Sequence, residues 1–117
     1  MTYRNIILIA ILTAMTTSPL WGAHQLFAES TCPSEPTLRS SSATQRTQIQ
    51  FTNQRSGVIN VFWIDYDGRR HFYRSLGKGD SQAFDTYATH PWVVTDASGN
   101  CLGVWFADVG SGTITIQ

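Results

Sequence analysis

The chain has 117 residues, room for one domain, with a formal net charge of zero and charged side chains at 14% of positions. That balance offers no basic face to nucleic acid and no acidic tract that would keep a segment disordered. Hydrophobic residues make up 42%, enough for a packed core, and four tryptophans add bulk to it.

The N-terminus comes first. Arg4 precedes an unbroken apolar run from Ile6 to Leu12. A bilayer span takes ~20 apolar residues, so this run is too short to cross comfortably and has instead the size of a signal-peptide core. Residues 1–28 therefore read as a signal peptide, with cleavage after Ala28 favoured over cleavage after Ala23 and an uncleaved signal-anchor as the alternative. The expected location is secreted or periplasmic, with no stable membrane anchor once the signal is removed.

Cys32 and Cys101 are the only cysteines, and both follow that cut. In an oxidising compartment they should pair. Closing a loop of about 70 residues would stabilise the fold by roughly 4 kcal/mol on the chain-entropy model. Lipidation of Cys32 is disfavoured by the polar Glu29-Ser30-Thr31 ahead of it. Two cysteines and scattered histidines lack metal-ligand spacing, so neither metal nor cofactor is expected.

Residues 29–46, rich in Pro, Ser and Thr, read as an extended lead-in, and residues 47–117 as the folded domain. Period-two alternation over 47–53 puts Ile49 and Phe51 on one face. The strongest strand is Val58 to Tyr66, with Phe62, Ile64 and Tyr66 on the face taken as core and Val61, Trp63 and Asp65 on the other. Asp67-Gly68 is a hairpin signal, since glycine reaches positive φ without steric conflict. Strands follow at 71–76, 81–86, 91–95, 101–107 and 113–117, separated by Gly77-Lys78-Gly79-Asp80, Asp96-Ala97-Ser98-Gly99-Asn100 and Gly110-Ser111-Gly112. About seven short strands without a helical period predict an all-β fold, a small seven-stranded antiparallel β-sandwich.

Catalytic sets are weak. Thr86 or Ser75 with His90 and Asp85 makes a hydroxyl–imidazole–carboxylate set only on paper, and no nucleophile elbow is present. Asp65 and Asp67 share a strand face, but an Asp-Gly pair is far more often a turn. No catalytic residues are assigned, and an enzyme is not expected.

The richer cluster is Thr86-Tyr87-Ala88-Thr89-His90-Pro91-Trp92, with Trp63 and Tyr73 before it. Large aromatics in small β proteins are usually core, with a histidine such as His90 left in an exposed loop. Against that, Trp63 falls opposite the face taken as core, where a large aromatic suggests a binding surface.

At these residues the sequence resembles the von Hippel–Lindau β-domain. The matching stretches are Leu38-Arg39-Ser40, Ile49-Gln50-Phe51-Thr52-Asn53, Val61-Phe62-Trp63-Ile64-Asp65-Tyr66-Asp67-Gly68, Tyr73 with Leu76, and Thr86-Tyr87 followed by His90 and Trp92; Asp96 and Gly99 continue the register. The resemblance implies a prealbumin-like sandwich that binds an extended peptide carrying 4-hydroxyproline. It implies aromatic walls from Trp63, Tyr73 and Trp92, with Thr86 and His90 as hydroxyl partners. Thr86 stands where the family has serine, which keeps the hydroxyl but adds a methyl group and stiffens χ1.

The sequence also departs from the family. A basic pair ahead of the Thr86 position is replaced by Gln82 and Ala83, and the loop between Phe106 and Thr113 is shorter. No helical segment follows Gln117, so neither an elongin-type partner nor a ubiquitin-ligase role is expected. The leading expectation is a secreted peptide- or protein-binding module. The alternatives are a structural or adhesion sandwich without a pocket, and a small hydrolase or inhibitor.

Overall fold

A computed structural model of the protein describes residues 31–110 and 112–117. The expected signal peptide, residues 1–28, lies outside the described residues. Seven strands form two sheets: β1 (Arg46–Asn53), β2 (Ile59–Ile64), β3 (Arg70–Leu76), β4 (Ser81–Tyr87), β5 (Pro91–Asp96), β6 (Cys101–Phe106) and β7 (Thr113–Ile116). One sheet has the order β4-β1-β7 and the other β3-β2-β5-β6. This is the small all-β sandwich that the strand spacing predicts.

One pairing departs from a wholly antiparallel arrangement. β7 runs parallel to β1, with Gln50 opposite Thr113 and Asn53 opposite Ile116. β7 arrives from the other sheet, so no hairpin constrains it to run against its neighbour.

Two hairpins use the same five-residue turn. In Asp65-Tyr66-Asp67-Gly68-Arg69 the Asp65 Oδ1 accepts the N–H groups of Asp67 and Arg69, each at 2.8 Å. In Asp96-Ala97-Ser98-Gly99-Asn100 the Asp96 Oδ1 accepts those of Ser98 and Asn100, each at 2.9 Å. Glycine takes the fourth position in both because φ there is +85° at Gly68 and +92° at Gly99.

Ile49, Phe51, Phe84 and Ile116 from one sheet meet Ile59, Val61, Leu76, Trp92 and Val94 from the other in a single buried cluster. The facing of β2 is the reverse of the sequence expectation. Ile59 and Val61 are wholly buried in the cluster and Trp63 packs against it. Phe62 instead meets Phe72 edge-on, ring centroids 5.7 Å apart, and Tyr66 is exposed.

The physical reason is that the lead-in covers part of the far face of β2, so both faces are apolar in sequence. Ser40 donates its N–H to the Asp65 carbonyl at 3.0 Å and its hydroxyl to the Ile64 carbonyl at 2.6 Å. Glu35, in a short 3-10 turn over Glu35–Thr37, receives the Arg70 guanidinium in a two-pronged pair at 2.7 and 2.9 Å. Cys32 is bonded to Cys101, Cα atoms 5.4 Å apart, which fastens the start of the lead-in to β6.

Candidate functional site

Strand register builds the site. Trp63 on β2 lies opposite Trp92 on β5, and Trp92 lies opposite Trp105 on β6, so three indoles form a row across the inner face of one sheet. His71 on β3 extends the row beside Trp63.

Tyr73 enters through an irregularity. Val61 pairs with Arg74 and Phe62 with Phe72, leaving Tyr73 as an extra, unpaired residue on β3. A β-bulge of this kind re-aims a side chain. Here the Tyr73 ring meets Trp92 edge-on, centroids 4.9 Å apart, and Phe84 at 5.8 Å. Trp92 stacks on Phe84 from the facing sheet at 5.2 Å.

Thr86 and Phe84 alternate to the same inner face of β4. Both are buried, and the Trp92 Nε1–H donates to Thr86 Oγ1 at 3.2 Å. One residue after a turn comes His90. Thr89 holds φ +79°, an unusual value for a β-branched residue. The turn is pinned by backbone bonds from Thr89 N–H to the Ala107 carbonyl and from Ala88 N–H to the Gln45 carbonyl. Pro91 then opens β5, where its missing N–H is tolerated.

His90 is 2% exposed and boxed by Trp63, Tyr66 and Tyr87, with ring centroids between 5.6 and 5.8 Å. Its Nδ1 accepts the Trp63 indole N–H at 3.2 Å, and its Nε2 lies 2.9 Å from the Ser41 carbonyl. The indole can only donate, so the ring proton sits on Nε2 and is given to Ser41.

These groups surround one open hollow of about 170 Å³, lined by Trp63, Tyr73, Thr86, His90 and Trp92 together with Tyr66, Asp85 and Tyr87. Trp92, Thr86 and His90 form its buried base, while Tyr66 and Tyr73 stand exposed at the rim. A hollow this small holds one side chain, not a whole peptide. It adjoins a second groove of about 260 Å³ lined by Arg46, Thr47, Asp85, Thr86 and Tyr87. Among the described residues β4 is an edge strand of its sheet, so the hollow opens beside that edge.

The structure assembles no hydrolytic set from Thr86, His90 and Asp85. Both His90 ring nitrogens turn to Trp63 and Ser41, and Asp85 Oδ1 accepts the Gln48 amide at 2.9 Å. The Asp65 carboxylate is engaged in its hairpin, with His71 Nε2 3.2 Å from Oδ2. The Arg69 N–H first of all holds the Asp65 carboxyl below its ordinary range, against desolvation as the next-largest influence, with the Asp67 N–H and the nearby charges of His71 and Arg69 adding smaller downward pulls. Cys32, Glu35 and Cys101 lie close together, but their sulfurs are bonded to each other and offer no thiolate.

Sequence reasoning missed Tyr66, Asp85 and Tyr87 in the lining and Ser41 behind His90. Asp85 and Tyr87 flank Thr86 in the chain, which was a usable signal for both. Nothing in the local pattern marks Ser41. The family model of the VHL beta domain matches residues 38–105, more than half of the chain and inclusive of all the lining residues. The chain belongs to the VHL (von Hippel–Lindau) beta domain family.

Proposed function

We propose that this protein is a binding module for an extended peptide or protein segment, and that it anchors its ligand by seating one ring-shaped side chain in the Trp63–Tyr73–Trp92 hollow. The observation that carries this reading is convergence. Five side chains from β2, β3, β4, β5 and the β4–β5 turn meet at one solvent-reachable concavity. Aromatic walls suit the flat proline ring, and the neighbouring groove along edge strand β4 gives the rest of an extended peptide a place to pair. The family resemblance extends the ligand to 4-hydroxyproline, with Thr86 and His90 as its polar partners.

A role outside the reducing cytoplasm accompanies this proposal. The apolar run at Ile6–Leu12 and the Cys32–Cys101 bond both support a secreted or periplasmic location. No nucleic-acid partner, elongin-type partner or catalytic step is invoked.

The test is calorimetry of the disulfide-bonded protein against matched proline and 4-hydroxyproline peptides, repeated with Tyr73→Ala and His90→Ala. Binding that weakens at least about tenfold in Tyr73→Ala supports a ring seated against that wall. Binding untouched by both variants places the ligand elsewhere.

A further inference from the structure

Resting on the reading of the hollow as a ring-binding site, we infer that the ligand carries a basic side chain next to its seated ring. The selecting group is Asp85, the one charged residue that the hollow shares with the groove beside it.

Charge around the hollow is one-sided. Of its lining residues only Asp85 is charged, because His90 accepts the Trp63 N–H and so holds a single ring proton. Asp85 is also the only charged residue of β4. Asp85, Thr86 and Tyr87 line both the hollow and the groove. A chain that leaves the one for the other therefore crosses the β4 edge past the Asp85 carboxylate. At the rim, Tyr66 and Tyr73 are exposed rings, whose negative faces also suit a cation.

The Asp85 carboxylate is open to such a partner. Its Oδ1 accepts the Gln48 amide at 2.9 Å, and among the described residues it closes no ion pair. Arg46, the basic residue of the groove, stands one step further out. In the strand register it faces Tyr87 while Gln48 faces Asp85, and it lines the groove but not the hollow. From the ring outward the order is thus negative, then positive. A lysine or arginine beside the ring meets attraction at Asp85, and a glutamate there meets repulsion. Asp85 and Arg46 are both exposed, so water and salt hold each effect to a few-fold in affinity.

The experiment is an NMR titration of the disulfide-bonded protein with acetylated, amidated tetrapeptides, Ala-Xaa-Pro-Ala and Ala-Pro-Xaa-Ala, in which Xaa is lysine, alanine or glutamate. Each is run with proline and with 4-hydroxyproline, so that the ring is constant within a series. At low salt the lysine peptide is expected to bind about fivefold more tightly than the glutamate peptide in at least one placement. The gap is expected to narrow in about 0.5 M sodium chloride. Asp85→Asn keeps the shape and is expected to bring the two peptides within about twofold, whereas Arg46→Gln widens the preference for lysine. Lining residues that shift equally with lysine and glutamate in both placements overturn the inference and leave the ring-binding reading standing. A folded Asp85→Asn protein with the full preference also overturns it. Should that variant not fold, Arg46→Gln decides, and a narrowed preference there overturns the inference. Failure of every peptide to shift any lining residue is a different outcome, and removes the ring-binding reading together with this inference.

Discussion

The Trp92 indole N–H donates to Thr86 Oγ1 across 3.2 Å, joining β5 of one sheet to β4 of the other at the base of the hollow. Both partners are buried, so the bond lies where an unmet donor is expensive. Thr86→Val keeps the shape and removes the acceptor. It is expected to destabilise the fold by about 1–3 kcal/mol in urea unfolding, while Thr86→Ser loses much less. Equal losses in the two variants would show that the methyl group, not the hydroxyl, matters there.

Thr89 carries backbone strain. Its φ of +79° suits glycine or asparagine far better than a β-branched residue. The Ala107 carbonyl and the neighbouring Ala88–Gln45 bond hold it there, and the turn it makes delivers His90 to the hollow. Thr89→Asn should therefore raise stability by about 1 kcal/mol, seen as a higher urea midpoint at unchanged slope. A lower midpoint would mean that the threonine side chain contributes more than the strain removes.

The paired turns at Asp65 and Asp96 make stability pH-dependent. Both carboxyls sit below their ordinary value of 3.8, Asp65 mainly through the Arg69 N–H and Asp96 mainly through the Asn100 N–H. Each group binds its proton more readily when unfolded. Their contribution is thus complete above the ordinary carboxylate value and is lost as pH falls through the depressed one. The urea midpoint should hold near pH 5 and drop on acidification below about pH 4, with a shallower drop in Asp96→Asn, which cannot titrate. An identical acid profile in that variant would assign the loss to other groups.

The Cys32–Cys101 bond spans 69 positions and ties the lead-in to β6. Replacing both cysteines with serine should cost about 4 kcal/mol, chiefly by freeing the unfolded chain. The same change loosens the segment that supplies Ser41 to His90. Thermal unfolding with and without reductant reads the first effect. No change on reduction would contradict a stabilising role for the bond.

Strand positions were legible because alternation and glycine turns are local signals. Asp67-Gly68 and Ser98-Gly99 mark their hairpins in the chain itself, and the aromatic spacing points to Trp63, Tyr73 and Trp92. The facing of β2 was not legible. Ile64 is buried on the face opposite Val61, beside Ser40 of the lead-in, so hydrophobicity alone could not say which face met the core. Likewise, the bulge at Tyr73 depends on register with β2, and the His90 tautomer depends on an indole 27 positions away. Those are relations between distant segments, which a local pattern does not encode.

The central claim is that a ring settles between Trp63, Tyr73 and Trp92, and the tryptophans themselves can report it. Trp105 stands in the same indole row but outside the hollow, packed on Phe51 with centroids 5.7 Å apart. Adding a proline-containing peptide should shift the indole N–H signals of Trp63 and Trp92 while leaving that of Trp105 in place. Shifts confined to Trp105, or none at all with a folded protein, would contradict the account.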